Sequence, residues 1–78
     1  MTGAAEILVD ARGHRCPVPA LKLRRAAENA PAGAVLRLMA DDPMARIDIP
    51  HFTAQAGLEI LALEEDGAAI SVLVRKPP

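Results

Sequence analysis

Two prolines close behind the single cysteine fix where the first helix of this chain can begin. The segment reads Cys16-Pro17-Val18-Pro19, and it follows a short apolar stretch at residues 6–10. Proline is well tolerated in the first turn of a helix, because its missing N–H would have no intrahelical partner there. The motif therefore predicts a rigid helix start at Pro17, with Cys16 as the N-cap residue.

The predicted position of Cys16 favours a reactive thiolate. Unpaired N–H groups and the positive end of the helix dipole stabilise an anion, and neighbouring cations lower the pKa of a thiol. Arg12, His14 and Arg15 lie within four residues of the cysteine, and Gly13 suits a loop with a positive φ. We interpret Cys16 as an accessible sulfur with a lowered pKa; the alternative is a small buried hydrophobic side chain.

Size and composition exclude several classes of protein. The chain has 78 residues, which predicts a single domain over 1–78, and its one cysteine excludes an internal disulfide. One cysteine and two histidines are too few for an ordinary structural zinc site, so we expect neither a metal nor a cofactor. The net charge of −1 argues against direct nucleic-acid binding.

The distribution of apolar residues points to a cytoplasmic protein. No apolar stretch approaches the length of a membrane span. The N-terminus lacks the basic start and long apolar run of a signal peptide. A reduced lone thiol is also the normal state in the cytosol, so we expect no membrane contact.

Apolar segments separated by helix and strand breakers predict the order βαβαββ. Strands are predicted at residues 6–10, 35–40, 58–65 and 68–75, with Asp66-Gly67 as the hairpin turn. The first helix, residues 17–29, ends before Pro31 and Gly33. Its core side is expected to comprise Ala20, Leu23, Ala27 and Ala30.

The segment between the second and third strands is less regular. We expect one irregular turn at residues 44–47, followed by a helix capped by Asp48. Pro50 would lie in its first turn, and Gly57 would end it. The buried side of this helix is expected to comprise Ile49, Phe52 and Ala56.

These elements predict an α+β fold, a two-layer α/β sandwich. A four-stranded mixed sheet would carry both helices on one face, while the strand order stays open. The other face would present leucine and methionine beside charged side chains. Such a face would favour a weak homodimer, with a monomer as the alternative.

A second face of the first helix lies off the core stripe. It is apolar at its centre and basic at its edge, which is typical of a partner-docking surface beside the thiol. The alternative is an ordinary solvated helix face. The residues of this face are Val18, Leu21, Lys22 and Arg25.

From about residue 8 to residue 76 the chain resembles the TusA/SirA family of small sulfur-carrier proteins, and three blocks of sequence carry the resemblance. The first block is the Cys-Pro-x-Pro segment at 10–19 with the following Leu21-Lys22. The second is Asp42-Pro43 followed by residues 48–52, and the third is the Asp-Gly hairpin with residues 74–76.

The resemblance implies a sulfurtransferase-type carrier rather than a stand-alone catalyst. Cys16 would accept sulfane sulfur as a persulfide from a cysteine desulfurase or a rhodanese-like donor. It would then pass the sulfur to a DsrE-like or other thiol acceptor. The pathways implied are tRNA 2-thiouridine synthesis, sulfur oxidation and molybdenum-cofactor maturation. The residues expected to support the cysteine are Pro17, Pro19, Gly13, Arg12, His14 and Arg15.

One departure from the family and several other functions bear on this interpretation. Several relatives carry a second cysteine where this chain has Thr53, so transfer that needs a resolving cysteine within one molecule is excluded. A non-catalytic regulatory or interaction domain, a selenium-handling relative and a thiol oxidoreductase stay open as alternatives. Asp10 either caps the loop or points to solvent, and His51 is not expected to bind a metal.

Overall fold

The computed structural model describes residues 6–78 and has the predicted order of elements. Residues 1–5, which belong to the signal-peptide question, lie outside the described residues. No helix within 6–78 is long and apolar enough to cross a membrane. The elements are β1 (Ile7–Asp10), α1 (Val18–Glu28), β2 (Val35–Ala40), α2 (Ala45–Ala56), β3 (Glu59–Asp66) and β4 (Ala69–Arg75).

The four strands form one mixed sheet in the order β1-β2-β4-β3. β1 and β2 pair in parallel, because the chain returns through α1 to start β2 from the same end of the sheet. β4 lies between β2 and β3 and is antiparallel to both. The predicted two-layer fold with a mixed sheet is therefore confirmed, and the strand order is now defined.

Buried and partly buried side chains alternate along β2 and β4, and the buried ones form the core. Leu36 pairs with Val74, Leu38 pairs with Val72, and all four side chains are fully buried. Both helices pack on this face: α1 contributes the core residues Leu23 and Ala27, and Ala30, just after the end of α1, is also buried. Ala20, the remaining residue of the predicted stripe, is half-buried and packs against the same cluster. From α2, Ile49 is fully buried.

The second helix begins earlier than predicted, because Asp42 organises the turn before it. The Asp42 Oδ1 accepts the Met44 N–H at 3.3 Å, and the Asp42 carbonyl accepts the Ala45 N–H at 2.9 Å. The helix therefore starts at Ala45, and the predictions of an irregular turn at 44–47 and an Asp48 cap are wrong. Pro50 lies inside the helix rather than in its first turn, where it removes one backbone hydrogen bond.

The buried side of α2 also differs in part from the prediction. Phe52 is half-buried against the core, but Ala56 is exposed. Thr53 is buried instead, and its hydroxyl donates to the Pro50 carbonyl at 2.9 Å. Gly57 ends the helix as predicted, with a left-handed φ of 76° that suits glycine.

Two other boundaries are shifted by about one residue. Asp66 still pairs with Ala69, so the hairpin loop is Gly67-Ala68 rather than Asp66-Gly67. Gly67 supplies the positive φ of 63° that a two-residue loop needs at its first position. The first helix begins at Val18 instead of Pro17.

The second face of the sheet is not covered by a helix. Leu8 is 61% exposed there, and Met39 is half-buried. Arg37 crosses this face: its Nη1 donates to the Ser71 hydroxyl and its Nε to a Glu6 carboxylate oxygen, both at 2.7 Å. The predicted mixture of leucine, methionine and charged side chains is therefore present.

Replacing Leu38 with alanine should lower the free energy of unfolding by ~2–5 kcal/mol, because the side chain is fully buried in an aliphatic core. Urea denaturation followed by circular dichroism measures this change. The matched control is Leu8→Ala on the open face, which should change stability by less than ~0.5 kcal/mol. Equal losses for the two variants would contradict the assigned core.

Candidate functional site

The site begins where β1 ends and the chain leaves the sheet. The Ala11 N–H donates to the Met39 carbonyl at 2.8 Å, so the parallel pairing continues one residue past β1. Gly13 then adopts a φ of 83°, a left-handed conformation that side chains disfavour. Its N–H donates to Asp41 Oδ1 at 2.9 Å, which attaches this turn to the end of β2.

The Cys16 backbone is held by a second aspartate from the same segment. The Cys16 N–H donates to Asp42 Oδ2 at 2.5 Å. Because β1 and β2 are parallel, the residues that follow both strands meet at one edge of the sheet. Asp41 and Asp42 therefore lie beside the loop that carries the cysteine, and together they fix its backbone.

The Cys16 thiol is exposed and faces α2. Its Sγ–H donates to Asp48 Oδ2, a side chain 32 residues further along the chain. Asp48 lies in the first turn of α2 and is half-buried. The site is thus a surface thiol paired with a carboxylate from another element.

This pairing reverses the predicted direction of the Cys16 pKa shift. The hydrogen bond to Asp48, partial desolvation, and the negative charges of Asp48 and Asp42 raise the pKa of the thiol above its ordinary value. A carboxylate beside a thiol disfavours the thiolate. The predicted lowered pKa is therefore wrong.

The helix start also differs from the one assumed for the thiolate. Pro17, not Cys16, is the N-cap residue of α1. The Val18 N–H donates to the Arg15 carbonyl at 2.8 Å, which closes a turn before the helix. Cys16 lies one residue before the cap, so its predicted N-cap position is wrong. Pro19 is buried in the first turn of α1.

The basic residues of the loop do not offset the carboxylates. Arg12 forms a two-point ion pair with Asp10, at 2.9 Å for both Nε–Oδ1 and Nη2–Oδ2. These bonds lower the pKa of Asp10 to about 2, so Asp10 pairs with its neighbour rather than pointing freely to solvent. His14 and Arg15 are exposed.

Apolar side chains with exposed surface occur in the segments that adjoin Cys16 and its partner Asp48. On α1, Val18 is half-buried and Leu21 is 52% exposed. At the start of α2, Met44 is exposed and Ile47 is 60% exposed. We call these four residues the apolar rim; the exposed Lys22 and Arg25 adjoin its α1 side.

Sequence reasoning located Cys16 but missed its partners. Asp41, Asp42 and Asp48 are the side chains that contact the loop, and Met44 and Ile47 extend the apolar surface. A signal for the first pair was present, since Asp41 and Asp42 follow a strand predicted to be parallel to the one before Cys16. The contact of Asp48 depends on how α2 packs, which local sequence does not specify.

Besides the Cys16 loop, a surface groove and a metal-binding cluster are two other kinds of site that the chain could offer. A groove between the far ends of α1 and α2 is lined by Phe52, Leu58 and Lys76, among others, and Cys16 lies outside it. In the described part of the chain, no cluster of three or more His, Cys, Asp and Glu side chains is arranged to hold a metal ion.

Comparison of the sequence with known proteins points to one family. The chain matches the family described as sulfurtransferase TusA over residues 7–76. Sulfur carrier protein TusA from three strains of Pseudomonas putida is 37% identical over 71 residues. The alignment covers 91% of this chain and 89% of the relatives.

A solved structure shares the fold. The crystal structure of a SirA-like protein from Desulfitobacterium hafniense matches with a TM-score of 0.76 and 29% sequence identity. The match covers 92% of this chain and 99% of that protein. The likeness therefore extends over nearly the whole βαβαββ sandwich.

The thiol of the folded chain should titrate at higher pH than the thiol of the unfolded chain, because unfolding separates Cys16 from the carboxylates of Asp48 and Asp42. The folded state then binds the proton more tightly, so this contribution to stability is present at lower pH and is lost as the pH rises through the folded pKa. Thiolate absorbance measured in buffer and in urea tests this. A lower pKa in the folded chain would contradict the geometry.

Proposed function

This chain belongs to the TusA family of sulfur carriers, and we propose that it accepts sulfane sulfur as a persulfide on Cys16 and passes it to a partner protein. The observation that supports this is the exposure of Cys16, the chain's only cysteine, on a loop whose backbone is held by Asp41 and Asp42. A carrier needs a thiol that donor and acceptor can each reach in turn. An exposed thiol on a fixed loop meets that need.

The transfer follows thiol–disulfide exchange chemistry. Cys16 Sγ attacks the outer sulfur of a donor persulfide, the donor S–S bond breaks, and the donor leaves as a thiol. An acceptor thiolate then attacks the outer sulfur on Cys16 and restores the cysteine. Each step exchanges one S–S bond for another, so no external oxidant or reductant is consumed.

Handover to the acceptor is direct, between two molecules. The chain has one cysteine, and Thr53 occupies the position where several relatives carry a second. Thr53 is buried, and its hydroxyl is engaged by the Pro50 carbonyl. The persulfide on Cys16 therefore has no internal thiol to attack it, and it stays on Cys16 until an acceptor docks.

The apolar rim is the surface on which donor and acceptor dock. Its residues come from α1 and from the start of α2, in the segments that adjoin Cys16 and Asp48, and Lys22 and Arg25 add positive charge to its α1 side. A partner with an apolar centre and an acidic edge complements this surface. A cysteine desulfurase or a rhodanese-like protein fits the donor role, and a DsrE-like or other thiol protein fits the acceptor role. The relay would serve tRNA 2-thiouridine synthesis, sulfur oxidation or molybdenum-cofactor maturation.

Cys16→Ser should abolish sulfur acceptance and leave the fold intact, because the exposed thiol makes no core contact. Intact-protein mass spectrometry after incubation with a desulfurase and cysteine, or with a rhodanese and thiosulfate, detects the added sulfur. Wild type should gain a reductant-sensitive sulfur that the variant lacks. An alkylatable Cys16 that gains no sulfur from either donor would instead favour a regulatory interaction domain.

Leu21→Asp should slow sulfur transfer to Cys16 by about tenfold or more, because it places a charge in the centre of the docking surface. The donor is the desulfurase or the rhodanese, whichever loads the wild-type protein faster. The matched control is Leu61→Asp on β3, where the leucine is 41% exposed and lies outside the apolar rim. Alkylation of Cys16 by iodoacetamide should be unchanged in both variants. Equal transfer rates for the two variants would rule out this docking surface.

A further inference from the structure

The placement of Asp48 suggests a role beyond shaping the site. We propose that Asp48 takes the Cys16 proton as sulfur arrives and supplies a proton to Cys16 as sulfur leaves. This inference rests on the proposed carrier function, since it assigns the proton in the same transfer. It makes Asp48 a proton-transferring residue that touches the reacting sulfur.

Geometry supports this role first. A general base must lie within hydrogen-bonding reach of the proton that it removes, and Asp48 Oδ2 accepts the Cys16 Sγ–H directly. Asp48 is held in place by α2: its N–H donates to the Met44 carbonyl at 2.9 Å, and the next residue, Ile49, is fully buried. The carboxylate is therefore positioned by the fold before any partner binds.

The other charged groups of the site are oriented differently. Asp42 accepts the Cys16 backbone N–H, and Asp41 accepts the Gly13 backbone N–H. Arg12 is paired with Asp10. His14 and Arg15 are the remaining titratable or charged neighbours on the loop, and both are exposed. Asp48 is thus the carboxylate that bonds to the thiol hydrogen itself.

The electrostatics of the site favour such an acceptor. The carboxylates of Asp48 and Asp42 disfavour a free thiolate at Cys16, so a mechanism that ionises the thiol before attack is costly here. Transfer of the proton to Asp48 while the new S–S bond forms avoids that intermediate. The negative charge then moves from the carboxylate to the departing donor sulfur.

The full cycle balances. In the first step, the Cys16 Sγ–H bond breaks, its proton goes to Asp48, and Sγ bonds to the outer sulfur of the donor persulfide. The donor S–S electron pair leaves on the donor sulfur, which then takes the proton from Asp48. In the second step, an acceptor thiol gives its proton to Asp48 and attacks the same outer sulfur. Cys16 Sγ receives the S–S electron pair and then the proton.

The test is the pH dependence of Cys16 alkylation by iodoacetamide, which needs no partner protein. If Asp48 takes the proton, the wild-type rate should be nearly flat between about pH 5 and about pH 7.5, because the reaction then does not need free thiolate. In Asp48→Asn the reaction can proceed only through free thiolate. The alkylation rate of this variant should therefore fall about tenfold for each unit by which the pH is lowered over the same range.

Two further variants make the result specific. Asp48→Glu keeps a carboxylate and should restore part of the flat profile. Asp66→Asn removes an exposed hairpin aspartate and should behave as wild type. Circular dichroism confirms that each variant is folded. A tenfold fall per pH unit in wild type as well as in Asp48→Asn would overturn the proposal.

A parallel measurement separates this proposal from the carrier function. Sulfur loading of Cys16 from a rhodanese and thiosulfate is followed by mass spectrometry across the same pH range. A flat alkylation profile without any sulfur loading would retain Asp48 as proton acceptor but reject the carrier function. Loading that is equally fast and has the same pH profile in Asp48→Asn would reject the role of Asp48 and keep the carrier function.

Discussion

The hydrogen bonds of Asp42 join the two halves of the site, and the geometry of the cysteine depends on them. Its Oδ2 accepts the Cys16 N–H, while its Oδ1 and carbonyl accept the N–H groups that lead into α2. One residue thus fixes the loop after β1 and the start of α2. Asp48, in the first turn of α2, is thereby brought to the thiol. Parallel pairing of β1 with β2 makes this possible, because it places the ends of both strands at one edge.

Sequence patterns predicted correctly the features that depend on a few neighbouring residues. The alternation along β2 and β4, the breakers after α1, and the prolines behind Cys16 each act over a few residues, so the element order and the exposed cysteine were predicted correctly. The start of α2 was not, because Asp42 organises it from outside the helix while Pro50 suggested a later beginning. Ala56 was placed in the core by its spacing, but the buried position belongs to Thr53.

The direction of the Cys16 pKa shift also depends on contacts between residues that are far apart in the sequence. Arg12, His14 and Arg15 are visible as sequence neighbours and suggest a stabilised thiolate. The carboxylates that decide the outcome come from Asp42 and Asp48, 26 and 32 residues away. A thiol held in its protonated form also suits a carrier that waits between partners, since the thiolate is the form that reacts nonspecifically and is oxidised. Reactivity is then expressed when a persulfide is brought to the site.

The most direct test of this account is an NMR titration that observes the Cys16 Cβ and the Asp48 side-chain carboxyl carbon in the same sample. Two groups that share a hydrogen-bonded proton respond to each other's ionisation. We predict that the Asp48 resonance moves at the alkaline pH where Cys16 loses its proton, and that Cys16→Ser removes this movement. A Cys16 titration that leaves the Asp48 resonance unchanged would contradict the pairing on which the site is built.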